Sequence, residues 1–528
     1  MKKTYIIGIS IFLIAFFSSC SDWLSTQPES EIILEEYWRT ESDVQAMVAS
    51  CYKRMTEEDI MLRMMIWGEL RSDNITTGQG FTSGYKDIGK ILEGDITSYN
   101  AYAGWGGFYS VINYCNTILH YSPIVTERDK NFTQEDLLRT QGEVRAIRAL
   151  CYFYLVRAFK EVPWIEDASI ADTQDYDKPK VSEEEMLGHI IDDLEFAKVN
   201  APTDYGRKDY NKGRVTKSMV YSLLADVYLW KQDYSLCLDA CSHVLEDPNL
   251  KLETGTFAFS RIFYNGNSSE SIFELQFKEN SINNDAVAKM YGSSSIVTGF
   301  VSFPTSLAYN SYDKENSTGI YSPFNYKVTT TVIESEDDVR AKDSYWLYSG
   351  NYYIFKYAGL LRTENNDKTA NLYVFRTNPA NWIIYRLSDV MLMAAEALVQ
   401  LTNSNTNYYS RAMELINEVY LRSNTTALEL EAQNYATKGE MEKLVLRERQ
   451  RELLFEGKRW FDLVRVARRA GNTNDINTYM DHKAAGANAS LGVPVLDALY
   501  MPIANSEIKA NPKLKQNSYY KEVNSTNR

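Results

Sequence analysis

The stretch LADVYLWKQDYSLCLDACSHVLE, Leu224 to Glu246, decides the fold. Ala225 and Tyr228 sit on one face of a first helix. An Asp233-Tyr234 turn follows, and Cys237, Ala240, Cys241 and Leu245 return at helical spacing on a second. Each helix carries an apolar face that the pair cannot bury alone, so the pair must stack on others.

Neighbouring sequence supplies those others. The spacing in 224–246 resembles a tetratricopeptide repeat. A weaker relative runs from Leu392 through Ala394, Ala395 and Ala397. It resumes after the Asn/Ser/Thr linker 402–407 with Ala412, Leu415, Ile416 and Val419. The Ala-, Tyr- and Phe-rich segment 145–161 reads as a third. Thr40-Glu41-Ser42-Asp43 resembles a capping box ahead of Val44, Met47, Val48 and Cys51, and Ser182-Glu183-Glu184-Glu185 reads as a cleaner one. Thr133 to Asp136 opens a long helical run that stops near Pro163. The fold class expected is mostly α, with stacked helix pairs and a few short strands.

Residues 275 to 380 differ. Gly, Ser, Asn, Thr and Pro are frequent, periodicity is poor, and Tyr291, Phe300, Phe303, Tyr309, Tyr312, Tyr321, Tyr326, Tyr345, Trp346 and Tyr348 are scattered through them. A long irregular insert on a helical scaffold is usually functional. Short strands are expected at Ser271–Phe277 and Tyr352–Tyr357. The helical core is expected at approximately 35–270 and 380–470.

Composition narrows the class. The chain has 528 residues, 44% hydrophobic and 24% charged, which fits a folded soluble body rather than a disordered or multi-span chain. With 56 basic against 70 acidic residues the net charge is −14, a poor match for nucleic acid. The 38 Tyr, 21 Phe and 9 Trp are the outlier, and rings with one wet end suit a binding surface, a helix core, or both.

Lys2 and Lys3, the apolar run Tyr5 to Phe17, and Ser18-Ser19 before Cys20 read as an export signal over 1–19. Phe17-Ser18-Ser19-Cys20 resembles a bacterial lipobox, so cleavage before Cys20 and acylation of that residue are expected. Several acyl chains anchor a protein to a membrane without a spanning helix. Cys51, Cys115, Cys151, Cys237 and Cys241 remain. Their number is odd and only the last two are close in sequence, so buried helical thiols are expected rather than a disulfide framework.

Familiar catalytic patterns are missing. His120, His189, His243 and His482 are far apart in sequence, and there is no H-E-x-x-H, G-x-S-x-G, Walker loop or helix-opening G-x-G-x-x-G. No metal and no cofactor are expected. A catalytic carboxylate pair, as in glycoside hydrolysis, stays open, because the separation of two acids is invisible in sequence. Arg447-Glu448-Arg449-Gln450-Arg451-Glu452 reads as a helix face that pairs with itself, through the i,i+3 neighbours Glu448–Arg451 and Arg449–Glu452, or with the body, each exposed pair worth a few tenths of a kcal/mol.

Several motifs together resemble the SusD/RagB family of nutrient-binding outer-membrane lipoproteins of the Bacteroidota. They are Trp67-Gly68-Glu69-Leu70-Arg71-Ser72-Asp73-Asn74, then Trp105, Tyr109, Ile112, Asn113 and Asn116, then Glu143 to Pro163 and Gly213-Arg214. Further along come Tyr385-Arg386-Leu387-Ser388-Asp389-Val390, Arg447 through Glu452-Leu453, Phe455-Glu456-Gly457, Arg459 and Phe461 to Arg465. The ending Met501-Pro502-Ile503, Glu507-Ile508, Asn511-Pro512 and Gln516-Asn517 also fits, with Ser518 where Pro is common.

The resemblance implies a SusD-like domain over 20–528, with four tetratricopeptide-like pairs and a loop-rich, ligand-facing half. It implies a non-enzymatic protein that captures oligosaccharide at the cell surface, lipid-anchored in the outer membrane. Its implied partner is a SusC-like TonB-dependent transporter barrel, with this chain as a hinged lid. Some relatives serve peptide uptake instead. A repeat scaffold that binds only protein is a further alternative and predicts no aromatic cleft.

The family's ligand contacts come from variable loops, so ligand residues are chosen by context. Tyr99 and Tyr102 lie in a Ser/Asn/Ala/Gly stretch, and Tyr291, Tyr345, Trp346 and Tyr348 lie in the insert. Arg71, Asp73 and Asn74 are the nearest polar candidates. Arg71 reads equally as a buried partner of Glu69 or another acid. Trp105, Phe455, Trp460 and Phe461 are expected in the core.

Overall fold

The computed structural model describes residues 34–521, apart from 79, 171–173, 256, 279–280, 293–298, 309–320, 329–332, 335–337, 349–350, 358–360, 365–370, 375–379, 403–405 and 484–491. The expected signal peptide and Cys20 lie outside these residues.

Among the described residues four helix pairs stack in chain order. They are α1 (Glu41–Met55) with α2 (Gly106–Arg128), α3 (Gln134–Phe159) with α4 (Glu183–Asn200), α5 (Lys217–Lys231) with α6 (Tyr234–Leu245), and α7 (Leu387–Leu401) with α8 (Thr406–Ser423). α2 packs on α3, α4 on α5 and α6 on α7, so each pair covers the face its neighbour exposes. Cys237, Ala240 and Cys241 are buried between α6 and its neighbours. Cys51, Cys115, Cys151, Cys237 and Cys241 are all free thiols in the core; Cys51 and Cys115 meet at 3.9 Å across the first pair.

The helix starts follow their caps. Thr40 with Asp43, and Thr133 with Asp136, form reciprocal capping boxes. Ser182 accepts from the Glu185 amide without a reciprocal bond, so the motif that reads more cleanly is the weaker cap. A box at Thr437 and Glu440 opens α9 (Lys438–Glu452).

The insert attaches through short strands. β1 (Ser271–Leu275) pairs antiparallel with β2 (Trp382–Arg386), Trp382 opposite Leu275 and Arg386 opposite Ser271, and both strands are buried throughout. A second ribbon pairs Tyr345–Tyr348 with Asn351–Ile354, a little ahead of the expected 352–357.

The C-terminal half of α9 is buried, and of the two readings open in the sequence, a face paired with itself or with the body, pairing with the body dominates. Glu448–Arg451 does form, at 2.7 Å. Arg449 instead turns to Asp389 at 3.0 Å and Asp462 at 2.9 Å, and Glu452 faces Arg340 at 2.8 Å together with Arg386 and Arg422. Arg386 also reaches Glu270 at 2.6 Å and Glu456 at 2.7 Å, and Arg340 reaches Asp338 at 2.6 Å and Glu448 at 2.7 Å. Arg451 reaches Glu334 at 2.8 Å. These side chains are almost wholly removed from water. Exposed-pair energetics do not apply to them. Each ion has lost hydration worth several kcal/mol, and removing one partner strands the others.

Arg386→Met leaves Glu270, Glu452 and Glu456 each without one cation, and should cost about 3–5 kcal/mol in urea unfolding; a loss under about 1 kcal/mol would contradict the lattice's role. Burial pushes Glu334 up, but Arg451 and Arg447 outweigh it and hold the carboxyl at about 2. Burial likewise raises Asp389, and Lys458 and Arg449 bring it to about 2. Folded values below unfolded ones stabilise above about pH 4 and are lost as pH falls toward 2. Urea midpoints should therefore drop steeply across that window, and Glu334→Gln should flatten the drop.

Candidate functional site

The Trp67–Asn74 motif faces inward. Gly68 passes so close to the 455–457 turn that a Cβ there would lie 1.8 Å from the Gly457 carbonyl oxygen. Beyond it Glu69 accepts from the amides of Gly457 at 3.0 Å and Lys458 at 3.2 Å, and from Asn74 at 2.9 Å. Asp73 takes two 2.8 Å bonds from Arg459, and Gln450 donates to Asn74 at 2.8 Å. Asp73 and Asn74 are buried. They hold the 455–459 turn and are corrected here from ligand contacts to structural residues. Arg71 is half-buried and lines a small cavity with Trp460 and Tyr520. It donates to the carbonyls of Leu499 at 2.5 Å and Ala498 at 2.6 Å and lies 4.3 Å over the Trp460 ring, with backbone rather than an acid as partner.

Two insert tyrosines are also internal. Tyr291 donates to the Phe455 carbonyl at 3.0 Å, and Tyr345 packs 4.6 Å from Phe303. Both are buried and unavailable to a ligand. The side chains of Trp346 and Tyr348, and the whole of Tyr309 and Tyr312, lie outside the described residues. Trp105, Phe455, Trp460 and Phe461 are buried, as read.

Tyr99 and Tyr102 are placed differently. Tyr99 is 78% exposed, and Tyr102 is half-buried. The strand Thr76–Thr77 pairs with Val301–Ser302, and Gly78 donates to the Phe300 carbonyl at 2.8 Å. A Cβ on Gly78 would meet the Gly299 carbonyl at 2.6 Å, so this approach needs glycine. The pairing sets Phe300 under Tyr85, ring centroids 3.6 Å apart. Asn100 donates to the Asp87 carbonyl at 2.9 Å, which brings the 99–102 turn beside the helix that follows Tyr85.

Polar groups converge at this aromatic face. Burial pushes the Tyr102 phenol up; Arg63 opposes this, while Asp87, Glu58 and Tyr85 reinforce it. Glu58 is ion-paired with Lys289. Among the described residues the hydroxyls of Tyr85, Tyr99 and Tyr102 have no hydrogen-bond partner. Ring faces beside open hydroxyls and carboxylates suit a ligand with an apolar face and a hydroxyl rim. Tyr85 and Phe300 were not among the residues chosen from sequence; the glycines at 78 and 299, flanking this pairing, were the available signal. Farther along the insert Tyr321 stacks on His482 at 4.0 Å, and Tyr326 lies over Arg447 at 3.8 Å.

A concavity of about 820 Å³ lies elsewhere, lined by Tyr52, Tyr210, Phe277, Leu275 and Val48. Its inner polar groups are already engaged: Tyr52 donates to Glu143 at 2.6 Å, and Arg214 grips the same carboxylate at 2.7 and 2.8 Å.

Comparison with known proteins agrees with this architecture. A family model described as "SusD family" matches residues 303–520, and one described as "Starch-binding associating with outer membrane" matches 22–229. A SusD-like protein of Formosa agariphila is 25% identical, covering 98% of this chain and 100% of the relative. One from Bacteroides ovatus is 22% identical over 85% and 80% of the two chains. A SusD superfamily crystal structure from Bacteroides thetaiotaomicron superposes with TM-score 0.68 at 18% identity, covering 92% of this chain and 99% of the other. The Bacteroides fragilis protein NanU superposes at 0.65 with 20% identity, covering 93% and 99%. The fold is that of nutrient-binding outer-membrane proteins. This chain belongs to the SusD/RagB family.

Burial also makes a prediction at the motif itself. It pushes Glu69 up to about 7, with Asn74 and the backbone amides opposing. A raised carboxyl favours folding below its unfolded value, near 4.3, and loses that contribution as pH rises through 7. Glu69→Gln should therefore gain melting temperature relative to the parent between pH 4.5 and 7.5; a constant difference would show that Glu69 does not titrate there.

Proposed function

We propose that this chain is a cell-surface, lipid-anchored glycan-binding protein that captures oligosaccharide without chemically changing it. It passes the ligand to a SusC-like TonB-dependent transporter barrel. The supporting observation is the Tyr85 ring, backed by the buried Phe300 and near Tyr102 and the exposed Tyr99, with hydroxyls that have no protein partner among the described residues. A sugar ring offers a C–H face to such rings and hydroxyls to such a rim. Tyrosines order at low entropic cost because each has few rotatable bonds. The family description of starch binding and outer-membrane association supports the same reading, as does the lipobox-like sequence ending at Cys20. Trp346 and Tyr348 remain proposed contacts from the insert.

The groove lined by Tyr52 and Tyr210 supports a second placement of the ligand. Its engaged arginine and phenol leave fewer groups for sugar hydroxyls, so the Tyr85 face is preferred.

Calorimetry against a panel of polysaccharides and peptides tests both class and place. Tyr85→Ala should weaken oligosaccharide binding by about 1–3 kcal/mol, the cost typical of a platform residue. Tyr210→Ala should leave it unchanged. Binding of peptides alone would overturn the glycan reading; loss with Tyr210→Ala and not Tyr85→Ala would move the site to the groove. Trp346→Ala with unchanged affinity would remove that residue from the site.

A further inference from the structure

α3 ends in an unusual turn. The Glu161 amide donates to the Phe159 carbonyl at 2.9 Å across Lys160, whose φ is +71° and ψ −56°. This is the rare, strained form of γ-turn. A helix end that needs positive φ usually takes glycine or asparagine. Here a lysine accepts the strain, and strained residues held by their surroundings concentrate at functional sites.

Lys160 stands on the wall of a cavity of about 530 Å³ between the end of α3, the 179–182 segment and the C-terminal tail. Lys180, Lys513, Lys515 and Lys521 share that wall, and Tyr500 also lines it. The carboxylates in the cavity are Glu161 and Asp497. Lys180 pairs with Glu161 at 3.0 Å, and Lys160 with Asp497 at 3.2 Å. Lys513 pairs with Asp175 at 3.1 Å. Lys515 and Lys521 are exposed and have no ion pair among the described residues. The cavity therefore holds a cationic excess in a chain whose net charge is −14.

Both the size and the sign of this cavity select a ligand. A volume of about 500 Å³ falls in the range of small-molecule sites. Concave walls of one charge sign concentrate ions of the other. We propose that this pocket is a second ligand site, separate from the tyrosine face, for a small molecule bearing an oxyanion: a phosphate, a sulfate or a carboxylate. Lys515 and Lys521 bind the anionic group directly. Lys160 and Lys180, neutralised by Asp497 and Glu161, fix the wall.

Titration calorimetry of the whole chain tests this, with inorganic phosphate, glucose 6-phosphate, digalacturonate and neutral cellobiose as probes. At least one anionic probe should bind more tightly than cellobiose, and its affinity should fall as salt rises. Lys515→Glu with Lys521→Glu should weaken that probe at least tenfold, with oligosaccharide binding at the Tyr85 face unchanged. Lys515→Gln with Lys521→Gln serves the same purpose should charge reversal perturb folding. Equal binding of inorganic phosphate and the sugar anions assigns a free oxyanion; tighter binding of the sugar anions assigns a charged saccharide. No preference for any anion over cellobiose, or equal anion affinity in the folded variants, would overturn the proposal. Either result would leave the tyrosine face standing.

Discussion

Glu452 is the point on which the molecule's two halves meet. Its carboxylate receives Arg340 from the insert, Arg386 from the end of β2 and Arg422 from the end of α8. Apolar burial is strong but non-directional, and it would allow the insert to settle on the helix stack in several orientations. A buried carboxylate shared by guanidinium groups from separate segments restricts that choice, because each misplaced cation is left unpaired in a medium that cannot solvate it. Glu448, Glu456, Glu270 and Asp338 extend the same constraint to α9, its following turn, β1 and the insert. The tyrosine face stands on segments tied to this lattice. Tyr291 donates to the Phe455 carbonyl, and Asp73, at the start of the loop leading to Tyr85, is gripped by Arg459.

Helices were legible in the sequence because their signals are local. The 224–246 pattern, the Thr40 and Thr133 caps and the small residues at Cys237, Ala240 and Cys241 depend on neighbours a few residues away. The buried charge lattice was not legible. Arg449 and Glu452 are spaced for an exposed i,i+3 pair, and only the long-range positions of Asp462, Arg340 and Arg386 show otherwise. The ligand residues suffered the same way. Asp73, Asn74, Tyr291 and Tyr345 are chemically suited to sugars, yet tertiary contacts commit them to the core. Tyr99 and Tyr102 remained available because their turn lies on the rim. The Tyr85–Phe300 contact joins residues 215 positions apart through a two-residue strand pairing, which periodicity cannot detect.

The surface is thus divided by chemistry. One face offers rings with open hydroxyls, suited to neutral carbohydrate. The pocket at the end of α3 offers lysines in excess over acids. On the proposed reading, the two sites would select ligands by polarity and by charge.

A crystal structure of the chain with a bound oligosaccharide would place the ligand outright. A sugar ring is expected against Tyr85, with its hydroxyls reaching Tyr102 and the neighbouring carboxylates. A sugar seated between Tyr52 and Tyr210, with the Tyr85 face bare, would contradict that placement.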